Sequence, residues 1–204
     1  MMNSLEMLRD ECVACRKCEI GGVMVEDKFI SNVFSNMNEG ARIMVVGQNP
    51  GSKEVERGEP FIGPSGAFFD RAVEEVLGLS RSDFYVSNVV RCHTPGNRPL
   101  RQAEKENCRY YLDREIAIIE PKIIIALGAP SFKQLTGMSG IMKHCGERIF
   151  SPRYGVYVVP LLHPSPRNTN DPGRREMFYD GLRKLKEFLD EDEVGRTTQT
   201  GDTV

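Results

Sequence analysis

The chain lacks several features that would have fixed its class at once. No run of about eighteen apolar residues occurs, so nothing in it has the length of a membrane-spanning helix. The N-terminus carries no apolar signal region, and the protein is expected to be soluble and cytoplasmic, with no membrane partner. Charge of one sign is not in excess: 27 Lys and Arg stand against 29 Asp and Glu, a formal net charge of -2. That balance excludes a uniformly basic nucleic-acid coat and leaves room for a local basic face. No internal repeat is visible. What is present is ordinary globular composition, 40% hydrophobic and 27% charged over 204 residues, enough for one domain with a full core.

Six cysteines without an export signal are expected to be reduced thiols, not a disulfide framework. Their spacing carries more. Cys12, Cys15 and Cys18 stand at two-residue intervals among polar neighbours, Cys92 and Cys108 are separated by fifteen residues, and Cys145 is alone. Thiolates this close in sequence can converge on one soft metal centre with a second pair from elsewhere in the chain. Four thiolates suit zinc or an iron-sulfur cluster, and the residues alone leave both open. Cys145 is read as a small buried hydrophobe, the usual fate of a free cysteine.

Apolar runs rich in β-branched residues predict strands at 42–46, 84–90, 122–127 and 156–162, each ending in a turn with Gly, Pro, Cys or His. Helical spacing fills the intervals at 65–77, 100–119 and 176–189, and Pro121 stops the second of these. Strands alternating with helices predict an α/β fold whose parallel sheet is covered on both faces, with ligands outside the carboxyl ends of the strands. The polar segment 191–204 shows no periodicity and is expected to be a disordered tail behind a single domain spanning 1–190.

The strand ends belong on one rim. The first delivers Gly47-Gln48-Asn49-Pro50-Gly51, the second Ser87-Asn88 and then Arg91-Cys92, and the fourth Leu162-His163-Pro164-Ser165-Pro166-Arg167-Asn168. Asn49, Asn88 and His163 are thereby expected to meet. An Asn amide pairs with the edge of a nucleobase through both a donor and an acceptor, and His donates to a developing oxyanion. Singly, each also reads as a turn residue, a strand-end cap or a packed loop histidine.

With "CRKCEI", "VVGQNPGSKEVERGEPFIGPSG", "SNVVRCHTPGNRPL", "IEPKIIIALGAPS" and "PLLHPSPRN" in view, the chain resembles the uracil-DNA glycosylase superfamily. It is most similar to the family-four branch, which carries a [4Fe-4S] cluster, and the resemblance spans about residues 15–167. It implies a three-layer α/β/α sandwich around a short central parallel sheet. It also implies an enzyme that excises uracil, or a related deaminated base, from DNA and leaves an abasic site. A monomer acting on uracil-containing DNA is expected.

Carried over by motif, the resemblance implies that Phe61 stacks on the flipped base and Asn88 reads the uracil edge. His163 would stabilise charge on uracil O2, helped by backbone N–H groups around Gln48 and Asn49. Cys15, Cys18, Cys92 and Cys108 match the cluster ligands, leaving Cys12 as an extra thiol or an alternative ligand. The loop with Ser165 and Arg167 would face DNA, with Arg167 as the side chain inserted into the vacated stack. Arg98, Arg101, Arg174 and Arg175 are candidates for phosphate contacts, a solvated surface being the alternative for each.

The first motif departs from the family-four Gly-Glu-Gly/Ala-Pro-Gly, since this chain reads "GQNPG", closer to the Gly-x-Asn-Pro-Gly of other branches. An amide cannot take a proton from water, so Asn49 is expected only to orient it, and Glu54 is the preferred activator. Glu54 also reads as a solvent-exposed loop carboxylate, and Val55 stands where Asp is common in family four. Two alternatives to the enzyme follow: a uracil-DNA-binding protein of the same fold with little turnover, and an iron-sulfur redox protein.

Overall fold

The computed structural model describes residues 4–21, 23–25, 28–30 and 32–197. Helix α1 (Ser4–Val13) is followed by a two-stranded antiparallel hairpin, β1 (Val23–Val25) and β2 (Lys28–Ile30). Then come β3 (Ile43–Gly47), α2 (Ser52–Arg57), α3 (Pro64–Leu77), β4 (Phe84–Asn88), α4 (Gln102–Ile119), β5 (Ile123–Leu127) and α5 (Ala129–Thr136). The chain finishes with β6 (Ile149–Ser151), β7 (Val156–Leu161), α6 (Pro166–Thr169) and α7 (Pro172–Thr197).

Five strands form the main sheet in the order β4-β3-β5-β7-β6. The four expected strands are parallel, and β6 is an antiparallel addition on the β7 edge that the sequence reading missed. Its three residues bury only Ser151, too short and too exposed a run to produce a strand signal. By contrast, every residue of β3, β4 and β5 is buried, which is why these segments are mostly apolar, with Ser87 and Asn88 at the end of β4 the buried polar exceptions. On one face of the sheet α3 packs against Phe84 through Phe69, and Phe68 of α3 meets Phe178 and Tyr179 of α7 edge-on. On the other face Glu115 of α4 reaches Tyr85 and Ser87 of β4, and α1 packs outside α4. This is the expected three-layer α/β/α arrangement.

Strand order reverses at β3: the chain passes outward to β4, then crosses back to β5 on the other side. A crevice opens at such a switch point because the loops leaving neighbouring strands diverge to opposite faces. The expected tail from 191 is helical as far as Thr197 in α7, and 198–204 lie outside the described residues. Among the described residues no helix is long and apolar enough to cross a membrane.

Candidate active site

A cleft of about 1030 Å³ lies at the carboxyl ends of β3, β4, β5 and β7. Its lining includes Gln48, Asn49, Glu54, Phe61, Asn88, His163, Ser165 and Arg167, so the residues expected to share a rim do share it. Pairing continues past the strand ends, where Val89 N–H donates to the Gly47 carbonyl at 2.9 Å and Val90 N–H to the Gln48 carbonyl at 3.0 Å. These bonds hold the first two loops side by side.

Asn88 is 1% exposed, and neither its Oδ1 nor its Nδ2 has a hydrogen-bond partner among the described residues. Leaving a buried polar group unpaired costs about 1–3 kcal/mol, so such a group calls for an explanation, and a partner that arrives with a ligand is one. Space for that amide depends on Gly47. A methyl group there would lie 2.4 Å from the Phe61 ring and 2.5 Å from Asn88 Oδ1, closing the pocket.

Phe61 adopts φ 56°, the left-handed region that bulky side chains avoid. It is held there from several sides. Arg81 donates to the Pro60 carbonyl and pairs with Asp70. The first turn of α3 passes so close that a Cβ on Gly66 would overlap the Phe61 carbonyl oxygen at 1.7 Å. The ring is thereby set between Phe69, at 6.4 Å between centroids, and His163, at 6.3 Å.

Glu54 lies on α2, not in a loop, and it is half-buried. Its Oε1 accepts the Gly63 N–H at 2.9 Å, and its carboxylate lies so close to Gly51 and Gly63 that a side chain at either would displace it. The carboxylate thus ties the start of α3 to the motif loop while still lining the cleft. Asn49 turns its Nδ2 back to the Pro50 carbonyl at 3.2 Å, leaving Oδ1 as the arm that can accept from water. The same carbonyl takes Nδ1 of His93 at 2.9 Å, which places the proton on that nitrogen.

His163 follows β7, and its carbonyl is fixed by Ser165 N–H and Asn168 Nδ2, both at 2.8 Å. Its Cβ packs against Gly128, the contribution of the β5 loop. Burial pushes the imidazole below its ordinary value of 6.5, with the Glu54 charge acting in the opposite direction. The ring is therefore neutral at pH 7 and can donate a hydrogen bond without surrendering a proton. Arg167 and Arg174 line the cleft, Arg174 also donating to Asn168 Oδ1 at 3.3 Å. Arg98, Arg101 and Arg175 are absent from its lining; Arg98 pairs with Glu104, and Arg101 with Glu19. Gly128 and Ala129 of the "LGAPS" segment also line the cleft, as does Met142, and nothing in their residue types marks them in the sequence as site residues.

The cysteine segment follows α1. Asn107 of α4 donates to the Lys17 carbonyl at 3.0 Å and to Cys18 Sγ at 3.3 Å, docking it beside Cys108. Burial pushes the Cys92 thiol up to about 12, and the neighbouring Cys108, Cys15 and Cys18 push in the same direction. Among the described residues no group of three or more His, Cys, Asp or Glu stands ready to hold a metal ion. Cys12 is fully buried in α1 and its thiol is raised by that burial. Cys145 is buried beside Gly181 in the core.

The sequence profile described as the uracil DNA glycosylase superfamily matches residues 34–186. A type-4 uracil-DNA glycosylase of Saccharolobus solfataricus is 37% identical over 196 residues, covering 92% of this chain and 88% of the relative. Those of Archaeoglobus fulgidus, 36% identical with 92% and 94% covered, and Sulfurisphaera tokodaii, 33% identical with 92% and 86% covered, are similar over the same extent.

Proposed function

Because the chain belongs to the uracil DNA glycosylase superfamily, we propose that it flips uracil out of DNA and hydrolyses its N-glycosidic bond, leaving an abasic site. The observation that carries this reading is the buried amide of Asn88, whose donor and acceptor both lack a partner beside the Phe61 ring. Uracil presents an adjacent carbonyl and N–H on its Watson–Crick edge, which is the complement of an amide, and a flat face for the ring. The reading is tested by incubating the purified protein with single- and double-stranded oligonucleotides carrying uracil, hypoxanthine, xanthine or a T·G mismatch, then cleaving abasic sites with alkali. Strand scission at uracil is expected. Selective binding to uracil-containing strands without scission would overturn the enzyme reading in favour of a binding protein.

Cleavage of the glycosidic bond builds positive charge on the sugar and negative charge on the base. The neutral His163 ring donates to uracil O2 as that charge arrives, together with backbone N–H groups around Gln48 and Asn49. Removing one such donor costs about 3 kcal/mol of transition-state stabilisation. Glu54 and Asn49 hold the water that completes hydrolysis. Ser165 and Arg167, which line the cleft, are the residues we assign to DNA, Arg167 as the side chain that fills the stack the flipped base leaves.

Cys15, Cys18, Cys92 and Cys108 are the residues that would hold the [4Fe-4S] cluster the family resemblance implies, thiolates being its usual ligands. Bound there, the cluster would tie the segment after α1 to Cys92 after β4 and Cys108 on α4, a structural role that needs no electron for hydrolysis.

Water placement separates two residues. Glu54 is anchored through Gly63 N–H and close enough to His163 to act on its titration, whereas Asn49 spends its N–H on its own loop. Glu54→Gln is expected to slow single-turnover excision by about 100-fold, and Asn49→Ala by about tenfold or less. Rapid-quench measurement of both variants decides the matter: the opposite order assigns the water to Asn49, and unchanged rates in both remove this scheme.

A further inference from the structure

Below the cleft, on the α4 side of the sheet, lies a polar cluster that the chemistry above does not use. Arg91 and Glu115 are each 0% exposed and form a salt bridge. Glu115 also accepts the Tyr85 hydroxyl at 3.0 Å and the Ser87 hydroxyl at 2.8 Å, both from β4. The Arg91 side chain folds back beneath the end of that strand. Its Nη1 donates to the carbonyl of Asn88 and, at 3.4 Å, to that of Val89, while Nη2 reaches Ser87 Oγ at 3.0 Å. The Arg91 carbonyl is held in turn by Val33 N–H at 2.9 Å.

Stability is a weak reason for such a pair, since replacing a buried ion pair by apolar side chains of similar volume is often neutral or stabilising. A better reason lies in what the guanidinium touches. Among the described residues nothing polar fixes the Asn88 amide, whose two polar atoms have no partners there, so its direction depends on the main chain from which it springs and on its walls. That main chain is leaving the sheet at this point, and Arg91 grips its carbonyl. We propose that Arg91, held by Glu115, is the positioning residue for Asn88, and that the selectivity of the pocket for uracil is set by this buried clamp on the opposite face of the sheet. The proposal rests on the base-reading role of Asn88 given above.

The test uses the cluster-loaded protein and the equilibrium dissociation constant of free uracil, measured by dialysis alongside the melting temperature. Arg91→Met combined with Glu115→Leu removes both charges and the grip on Asn88. This variant is expected to stay folded and to bind uracil about tenfold more weakly, the equivalent of one neutral hydrogen bond. Added to Asn88→Ala, the same pair of substitutions should cause no further loss, because the amide it positions is gone. Arg91→Lys keeps a positive charge beside Glu115 but has no fork to span carboxylate and carbonyl, and should also weaken uracil binding; it carries the test if the double variant does not fold. Wild-type affinity in the folded variants, or losses that add to those of Asn88→Ala, would overturn the inference while leaving the pocket reading intact. Absence of uracil binding in the wild-type protein, with none lost in Asn88→Ala, would overturn both.

Discussion

Replacing His163 by alanine is expected to slow single-turnover excision of uracil by about 100- to 1000-fold, the usual effect of removing one donor to a developing oxyanion. Binding to uracil-containing DNA should change far less, because the hydrogen bond strengthens only as charge reaches O2. Rapid-quench rates at saturating enzyme, set beside dissociation constants from anisotropy, separate the two effects. A loss confined to binding would remove His163 from the chemical step.

The pH profile provides a second readout of the same residue. Burial holds the folded imidazole below 6.5, so the neutral donor survives as the pH falls through that value. The acid limb of the rate should lie below 6.5 and vanish in His163→Ala. Stability follows the same sign: below about 6.5 the unfolded chain takes up a proton that the folded one refuses, so this residue lowers stability as the pH drops. An acid limb centred at or above 6.5 would show that the ring is not desolvated as the structure has it.

Loss of iron is the second large effect expected. Cys92→Ala and Cys108→Ala should each abolish the visible absorbance and the stoichiometric iron of anaerobically purified protein. The melting temperature should fall by about 10 °C or more, because metal-binding free energy at a structural site is folding free energy. Cys145→Ala, in the core beside Gly181, should keep both iron and colour. Cys12→Ala, Cys15→Ala and Cys18→Ala show whether Cys12 replaces Cys15 or Cys18 among the ligands. Stoichiometric zinc in protein produced with iron supplied would replace the iron-sulfur assignment, and iron retained in Cys92→Ala would remove this residue from the ligands.

Much of the architecture was legible because burial on both faces leaves a mark on composition. The runs that became β3, β4, β5 and β7 are mostly apolar because nearly every position in them is buried, and their ends could be placed on one rim by topology alone. Elements without that constraint left no such mark. Helix α2 is six residues between glycines with no buried position, and so it read as a charged loop. That misreading hid how Glu54 reaches Gly63. Likewise β6 buries a single side chain. Asn88 and His163 were visible as polar residues closing apolar strands, but Glu115 lies in the middle of a helix where a carboxylate ordinarily faces water. Nothing in the spacing of Arg91 and Glu115 announces a pair, since their contact is made by the packing of α4 on β4.

The left-handed backbone at Phe61 sets a limit on how the protein can be improved. A bulky residue held there costs on the order of 1–3 kcal/mol, which a glycine would relieve. Screening for heat resistance alone would therefore favour variants that discard the ring, and with it the platform for the base. Longer lifetime at temperature and faster turnover compete for this one position, and a stabilised catalyst has to gain its margin from elsewhere in the molecule.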